Sequence, residues 1–496
     1  MDHLINGIGL AVEGRTLLLI VLGTLWGIVG GALPGISTTV AVSLLIPVSY
    51  YLQPTEAVAL LAATYAGTGF GNGISATLIR TPGTPSAVLN VIEGYPLHER
   101  GEGGRALVVN LFAASTGQLL GGIGFILFMV PLAAVATNFL KPEIFALSVL
   151  AMVAVASVTG KDPLKGYAAL LIGLGIATVG ADPVTGQPRF VFDIPELWEG
   201  FDIVPVIIGL LALGEAFYEI EKGSRLLVHG KQALGSLWIS LRELASYAKM
   251  IVIGTIVGFV VGVIPGIGGT TAAFVSYQQA KLYAKRPNLF GRGSYEAIAA
   301  MNAADNAVFG GEFVPTLGLG IPGSASQAVV LSALVIHGVQ PGPQLLRTRP
   351  ELVETVLGAM VVASVLLIPL GLALIKPSVW LSLAWPPAVA AGTIALTLVG
   401  TFSIRGWMFD VYAVVGFGVL GYVLRKLGFP LAPVAVAFVL GSTLEETLRQ
   451  GLLMSYNDPL LFLSRPVTLV LLLAALAFAG YQLRASRRLT EDEADK

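Results

Sequence analysis

Stretches without a single charged residue govern what this chain can fold into. None occurs from Thr16 to Thr55, Ala57 to Ile79, Ala106 to Leu140, Met250 to Ala280, Phe313 to Leu346 or Pro466 to Leu483, and Lys376 is the only charge between Glu354 and Arg405. About 20 apolar residues span the hydrocarbon core of a bilayer, so runs of this size and frequency imply roughly ten to thirteen crossings. The runs are continuous rather than alternating, which selects helices over a β-barrel. The expected fold is an all-α polytopic membrane protein.

Composition agrees and closes other routes. Charged residues make up 12% and hydrophobic residues 55%, with a mean hydropathy of +0.81, whereas soluble domains carry about a quarter charged residues. There is no cysteine, which removes disulfides, thiolate metal sites and cysteine nucleophiles. His3, His98, His229 and His337 are scattered without metal-ligand spacing, and a net charge of −1 argues against nucleic acid as a partner. The first apolar run, near Thr16, lacks a basic leader and continues into further membrane sequence, so it reads as a retained helix. Basic residues cluster at Lys222, Arg225, Lys231, Arg242 and Lys249, and again at Arg484, Arg487 and Arg488; the positive-inside rule puts both groups in the cytoplasm. Residues 221–249 then form an amphipathic surface connector or a plain solvated one, between a first repeat over 1–220 and a second over 250–484, with a charged cytoplasmic tail at 485–496.

The halves repeat one another. "GIVGGALPGISTT" at 27–39 matches "GFVVGVIPGIGGT" at 258–270 with an offset of 231, and "GFGNGISATLIRTPGTPSAV" resembles "VFGGEFVPTLGLGIPGSASQA" with Gly71, Pro82 and Gly83 aligned to Gly311, Pro322 and Gly323 at an offset of 240. Gly/Pro-interrupted hydrophobic segments at corresponding places in two halves are the sequence mark of a secondary carrier's binding site. Proline removes a donor and glycine accepts unusual dihedrals, so the helix breaks and bares backbone groups inside the membrane. These are tolerable only where protein, water or solute satisfies them. A following half-helix presents a positive end suited to an anion. At "ALPG" and "VIPG" a simple turn between the arms of a hairpin reads equally well, and charge placement favours a two-armed hairpin at "VIPG". At "RTPGTPS" and "GIPGSASQ" hydroxyls crowd just past the break, which favours a site.

The ordered set "LPG", "TPGTPSAVLNVIEGYPLHERGEGGRAL", "IPGIGGTT", "NAADNAVFGG", "GLGIPGSA" and "HGVQPGP" resembles the large membrane subunit of the tripartite tricarboxylate transporters, the TctA family, from about Gly23 to the last helices. The resemblance implies a permease in the bacterial inner membrane, multi-pass, working with a small TctB-like membrane subunit and a periplasmic TctC-like solute-binding protein. It implies symport of carboxylate anions, citrate or related di- and tricarboxylates, with Na+ or H+ and without ATP. A homodimer stays open. The chain departs from the family pattern at Arg80, where an Asn is usual, at Glu93, where an Asp is usual, and in "AAMNAADNA", where Asn302 stands at the family's Glu and Asp305 at its first Asn.

Candidate residues follow from these breaks. Asp305, with Asn302 and Asn306, is the first candidate for a coupling ion, since an ionisable group in such a segment is costly unless used; Glu312 and Thr270 come next, and a sodium ion at Asp305 and Asn306 is one option. A partly wet loop over 296–312 is the plain alternative. For the substrate the candidates are Arg80, Thr81, Gly83, Thr84, Ser86 and Asn72, Ser37 and Thr38 after the first Pro-Gly pair, and Gly323, Ser324, Ser326 and Gln327 at the second break. Arg80 could clamp a carboxylate or snorkel to the interface. No cofactor is implied beyond the coupling ion. "GLGIPG" matches a dinucleotide fingerprint only literally, and no hydrolase, kinase or zinc-protease motif is present, so an enzyme is the weakest reading; a stand-alone anion carrier or channel is the nearer alternative.

Overall fold

The computed structural model describes residues 2–136, 139–158, 162–182, 185–222, 234–383, 385–454, 456 and 458–494. The chain opens with α1 (Asp2–Ala11) and α2 (Gly14–Ala32), breaks at Pro34-Gly35, and continues as α3 (Thr38–Ser43), α4 (Ile46–Tyr50) and α5 (Pro54–Ile79). A second break leads to α6 (Val88–Glu99), then α7 (Gly103–Ala136), α8 (Lys141–Val158) and α9 (Pro163–Ala177). A small antiparallel hairpin, β1 (Gly180–Ala181) with β2 (Pro188–Arg189), precedes α10 (Ile203–Ile208), a π-helical turn over Gly209–Leu213, and α11 (Gly214–Lys222). The second half runs through α12 (Leu241–Ser246), α13 (Ala248–Val263), α14 (Gly268–Tyr283), α15 (Tyr295–Leu319), α16 (Ala325–Ile336), α17 (Leu345–Thr348) and α18 (Pro350–Ser382). It closes with α19 (Pro386–Arg405), α20 (Met408–Lys426), α21 (Leu431–Met454), α22 (Leu461–Ser464) and α23 (Pro466–Ala494).

Seven of the described helical stretches are long and apolar enough to cross a membrane, and the all-α polytopic expectation holds. Other apolar runs are divided: α13, α14 and α16 are short because Pro-Gly pairs interrupt them. Of the connector expected at 221–249, residues 223–233, with Arg225, His229 and Lys231, lie outside the described residues, as do the side chains of Arg487 and Arg488. The rest of the connector includes α12, none of whose residues is buried.

Glycine rows set how the halves are built. On α2, a side chain at Gly23, Gly27 or Gly31 would meet Leu60 O at 2.5 Å, Thr64 O at 2.2 Å or Asn72 N at 2.8 Å of α5. On α13, one at Gly254, Gly258 or Gly262 would meet Ala300 O at 2.1 Å, Ala304 O at 2.3 Å or Val308 O at 2.3 Å of α15. Such spacing allows the backbone contact by which helices associate in lipid. In both pairs the partner number rises with the glycine number, so the helices run parallel and the segment between them returns. Lys249 Nζ donates to Tyr283 O (3.4 Å), which ties the two open ends of α13 and α14 together as a re-entrant hairpin.

The two halves are inverted. Side chains placed at Gly117 and Gly121 of α7 would meet Ala303 O at 2.2 Å and Ala307 O at 2.8 Å, so α7 runs parallel to α15 and both begin on one side. That side is where α5 and α6 end, because Arg100 donates to Arg292 O (2.9 Å) and Tyr295 to Glu102 (2.6 Å). Hence α5 ends where α15 begins. It carries Arg100, Arg105, Lys249, Lys281, Lys285, Arg286 and Arg292, and the positive-inside rule assigns it to the cytoplasm. Because the chain has no cysteine of its own, single-cysteine variants can report sidedness directly. Asn288→Cys and Glu99→Cys should react with an impermeant thiol reagent only from the cytoplasmic face, and Arg347→Cys and Glu13→Cys only from the other. Labelling of Glu99→Cys and Arg347→Cys from the same face would show parallel repeats.

Candidate functional site

The offset of 240 residues extends along α5 and α15 and orders the membrane interior. Both helices end on a left-handed residue, Arg80 (φ 56°) and Gly320 (φ 74°), whose amide bonds Ser75 O in one repeat and Pro315 O in the other. The next residue repeats the pattern, Thr81 N to Ser75 O at 3.4 Å and Ile321 N to Pro315 O at 3.1 Å. The chain then doubles back. Gly83 comes to lie beside Asn72, and Gly323 beside Glu312. From there α6 climbs again along the last turns of α5, with Asn90 near Gly73 and Thr77 near Gly94. Each repeat therefore presents the N-terminus of a half-helix inside the membrane, where the first-turn amides have no intrahelical partner.

These broken segments meet. Thr39 of the first hairpin hydrogen-bonds Ser326 of the second break (2.8 Å). Glu312, fully buried, accepts from Ser324 (3.0 Å) in its own repeat and from Tyr65 (3.3 Å) in the other. Tyr65 in turn stacks on Phe309, ring centroids 3.9 Å apart. Asp305 is half-buried and lies against the Ser86 hydroxyl at the start of α6. A side chain at Gly269, in the first turn of α14, would stand 2.6 Å from Asp305 Oδ1. Asn302 and Asn90 exchange two hydrogen bonds, 3.0 and 3.1 Å, between repeats.

Other candidates fall in distinct places. Ser37 caps α3 by accepting from Val40 N (3.3 Å), and Ser324 caps α16 by accepting from Gln327 N (3.3 Å). Thr38 accepts from Asn72 Nδ2 (3.0 Å), Thr84 and Ser86 hydroxyls pair at 3.0 Å, and Thr81 bonds back to Ile79 O (3.3 Å). Gln327 is buried beside Glu312. Thr270 is half-buried in the first turn of α14. Asn306 faces Gly69 of α5 and donates to Asn302 O (3.0 Å), whereas Asp305 faces α14 and α6, so the two have different neighbours. Among the described residues, no group of three or more His, Cys, Asp or Glu could hold a metal ion.

Arg80 stands apart from this cluster. It is the exposed cap of α5, its guanidinium 4.0 Å above the Tyr95 ring and 3.6 Å from Glu99. Residues passed over in the sequence include Tyr65, Asn90 and Thr316, which bonds Glu312 O (2.6 Å) and accepts from Gly323 N (3.4 Å). The repeat offset is a signal for Tyr65, since 65 + 240 = 305 makes it the equivalent of Asp305 in the first repeat.

Removing one side of the Asn90–Asn302 pair strands a buried amide, which costs about 1–3 kcal/mol. Asn302→Ala should lower the unfolding temperature of the purified protein, and the double variant Asn90→Ala/Asn302→Ala should cost less than the sum of the single ones. Strict additivity would show that the pair is not coupled.

A family model described as "Tripartite tricarboxylate transporter TctA family" matches residues 17–436. A protein of Agrobacterium vitis, "Uncharacterized 52.8 kDa protein in TAR-I ttuC' 3'region", is 34% identical over 477 residues, 95% of this chain and 94% of its own length. A second from the same organism, "Uncharacterized protein in TAR-II ttuC' 3'region", is 34% identical over 238 residues, 48% of this chain and 98% of its own. Among solved structures, a manganese transporter of Eremococcus coleocola aligns over 96% of this chain and 97% of its own at 13% identity with a TM-score of 0.11, too low to carry a structural comparison.

Proposed function

The chain belongs to the tripartite tricarboxylate transporter TctA family, and on that premise we propose that it is the permease subunit that imports carboxylate anions, citrate or related di- and tricarboxylates, by cotransport with Na+ or H+. In this reading it sits in the bacterial inner membrane with a small membrane subunit, and a periplasmic binding protein delivers the substrate. The observation that carries the coupling is the position of the two acidic side chains. Asp305 lies at the start of α6 and Glu312 at the start of α16, so each half-helix end that would attract an anion already faces a resident carboxylate. Two like charges about 5 Å apart at an effective dielectric near 20 repel by about 3 kcal/mol. A proton or sodium ion bound with the substrate removes that penalty, which links the two solutes thermodynamically. The hydroxyls of Thr84, Ser86, Ser324 and Ser326 supply neutral donors beside the same ends.

Reconstitution with the partner subunits in proteoliposomes tests this. Saturable uptake of citrate or a four-carbon dicarboxylate should follow a sodium or proton gradient, and uptake indifferent to both gradients, or unsaturable conductance, would overturn it. Asp305→Asn and Glu312→Gln should each abolish gradient-driven uptake while the protein still inserts; normal gradient dependence in both would remove the acidic pair from the mechanism. Arg80 pairs at the surface, where an exposed ion pair is worth only about 0–1 kcal/mol, so Arg80→Gln should leave half-saturation within about fivefold. A larger rise would bring Arg80 into the substrate site.

A further inference from the structure

The connector between the repeats bares apolar side chains on the basic side of the protein. Trp238 is 82% and Leu241 79% exposed, Arg242 follows directly, and no residue of α12 is buried. Aromatic and aliphatic groups exposed next to a basic one suit the headgroup level of a bilayer better than open water. Beside them, α7, α12 and α13 border a groove of about 220 Å³, lined by Val109, Phe112 and Thr116 of α7 and by Leu244, Tyr247 and Ile251. Ala248 and Val252 on its rim are exposed, so the groove opens toward lipid. Thr116 lies about 20 Å along α7 from Gly103, and α13 itself stops at the hairpin tip, so the groove ends within one leaflet. Tyr247 also belongs to the wall of a second cavity, of about 240 Å³, bordered by Ser246, Tyr295, Glu296, Lys285 and Arg286.

The two cavities differ in chemistry. The acids at the second one are already engaged: Glu243 binds Arg105 (2.5 Å) and accepts from Tyr247 (3.3 Å), and Glu296 accepts from the amides of Lys285 (3.1 Å) and Arg286 (3.2 Å). The side chains of Lys285 and Arg286 are exposed and have no ion-pair partner among the described residues. A cationic pocket joined to an apolar groove through one shared tyrosine matches a molecule with an anionic head and a hydrocarbon tail. Basic pockets between helices on the cytoplasmic side suit acidic headgroups, and this is the side that the positive-inside rule assigns to the cytoplasm. We propose that the pair of cavities holds one acidic phospholipid of the cytoplasmic leaflet, with its phosphate at Lys285 and Arg286 and an acyl chain in the groove between α7 and α13. A membrane-spanning helix of a partner would need the full thickness of about 30 Å, which the groove does not offer. Tyr247 precedes α13 and Lys285 follows α14, so the lipid bridges the two open ends of the second hairpin beside the Lys249–Tyr283 contact. The site does not depend on which solute the protein carries.

Thermal unfolding of the purified full-length chain in a neutral detergent tests this without substrate or partner subunit. Phosphatidylglycerol should raise the unfolding temperature saturably, by a few degrees more than phosphatidylcholine at the same mole fraction. Lys285→Gln/Arg286→Gln should lose that preference. Lys281→Gln/Arg292→Gln removes two charges from the same face outside the cavity and should keep it, which separates the pocket from general attraction to an anionic surface. Ala248→Trp adds bulk at the exposed rim of the groove and should reduce the phosphatidylglycerol response with Lys285 and Arg286 in place. Equal stabilisation by the two lipids, retention of the preference in Lys285→Gln/Arg286→Gln, or its loss in Lys281→Gln/Arg292→Gln would each overturn the assignment. Inorganic phosphate reproducing the full shift would give the pocket to a soluble anion and overturn the lipid. An unchanged response in Ala248→Trp would remove the acyl chain from the groove, and loss of the small membrane subunit from the purified complex in that variant would give the groove to a protein helix instead.

Discussion

Every backbone amide and carbonyl freed by a helix break within the membrane must find a partner inside the protein, because the lipid offers none. The two retracing breaks meet this demand locally and across the fold. Doubled bonds to Ser75 O and Pro315 O close the ends of α5 and α15. Gly266 N at the tip of the second hairpin donates to Gly323 O (2.8 Å), and Gly342 N donates to Leu317 O (3.0 Å). The hairpin tip and the break thus depend on each other, and neither could lie against lipid. The meeting of polar segments at the centre follows from this satisfaction problem.

Close helix approach makes the arrangement attainable. The glycine rows on α2 and α13 bring backbones into contact with α5 and α15, and α7 meets α15 in the same way. On the basic side the halves are fastened by a buried carboxylate. Glu93 of α6, fully buried, accepts from Tyr277 (2.6 Å) and from the amides of Gly291 (2.5 Å), Gly293 (3.0 Å) and Ser294 (2.8 Å). Four donors offset the desolvation of its charge and hold the loop before α15 against the first repeat. Its job is architectural, and a shorter aspartate would reach the same amides only with a shift of the loop.

Inverted symmetry supplies the frame, and departures from it supply the chemistry. Tyr65 is the repeat equivalent of Asp305 and Asn72 that of Glu312, so both acids belong to the second repeat while the first contributes an amide and a phenol, the phenol bonding Glu312. The Tyr65–Glu312 bond crosses between repeats, which makes the ionisation of one repeat's carboxylate depend on the packing of the other.

Much of this was legible in the sequence, and for definite reasons. Charge-free runs require a helical membrane protein, because only hydrogen-bonded helices sustain such lengths in lipid, and the two Pro-Gly repeats mark where helices must break. Basic clusters around Lys249 and Lys285 anticipated a hairpin at "VIPG", since a single crossing would have parted them, and the Lys249–Tyr283 contact closes it. Direction was not legible: the same repeat offset serves parallel and inverted halves, and only the rising register of α7 along α15 and the falling one of α5 along α15 distinguish them. Nor could spacing tell Arg80 from its neighbours. Two residues separate it from Gly83, yet the doubling back of the chain leaves Arg80 on Glu99 at the surface and carries Gly83 to Asn72 in the interior. Which residues accompany a break is written in the sequence; where each ends up depends on the path of the chain after it, because groups such as Ser75 O, Pro315 O and Thr316 Oγ1 capture the freed backbone.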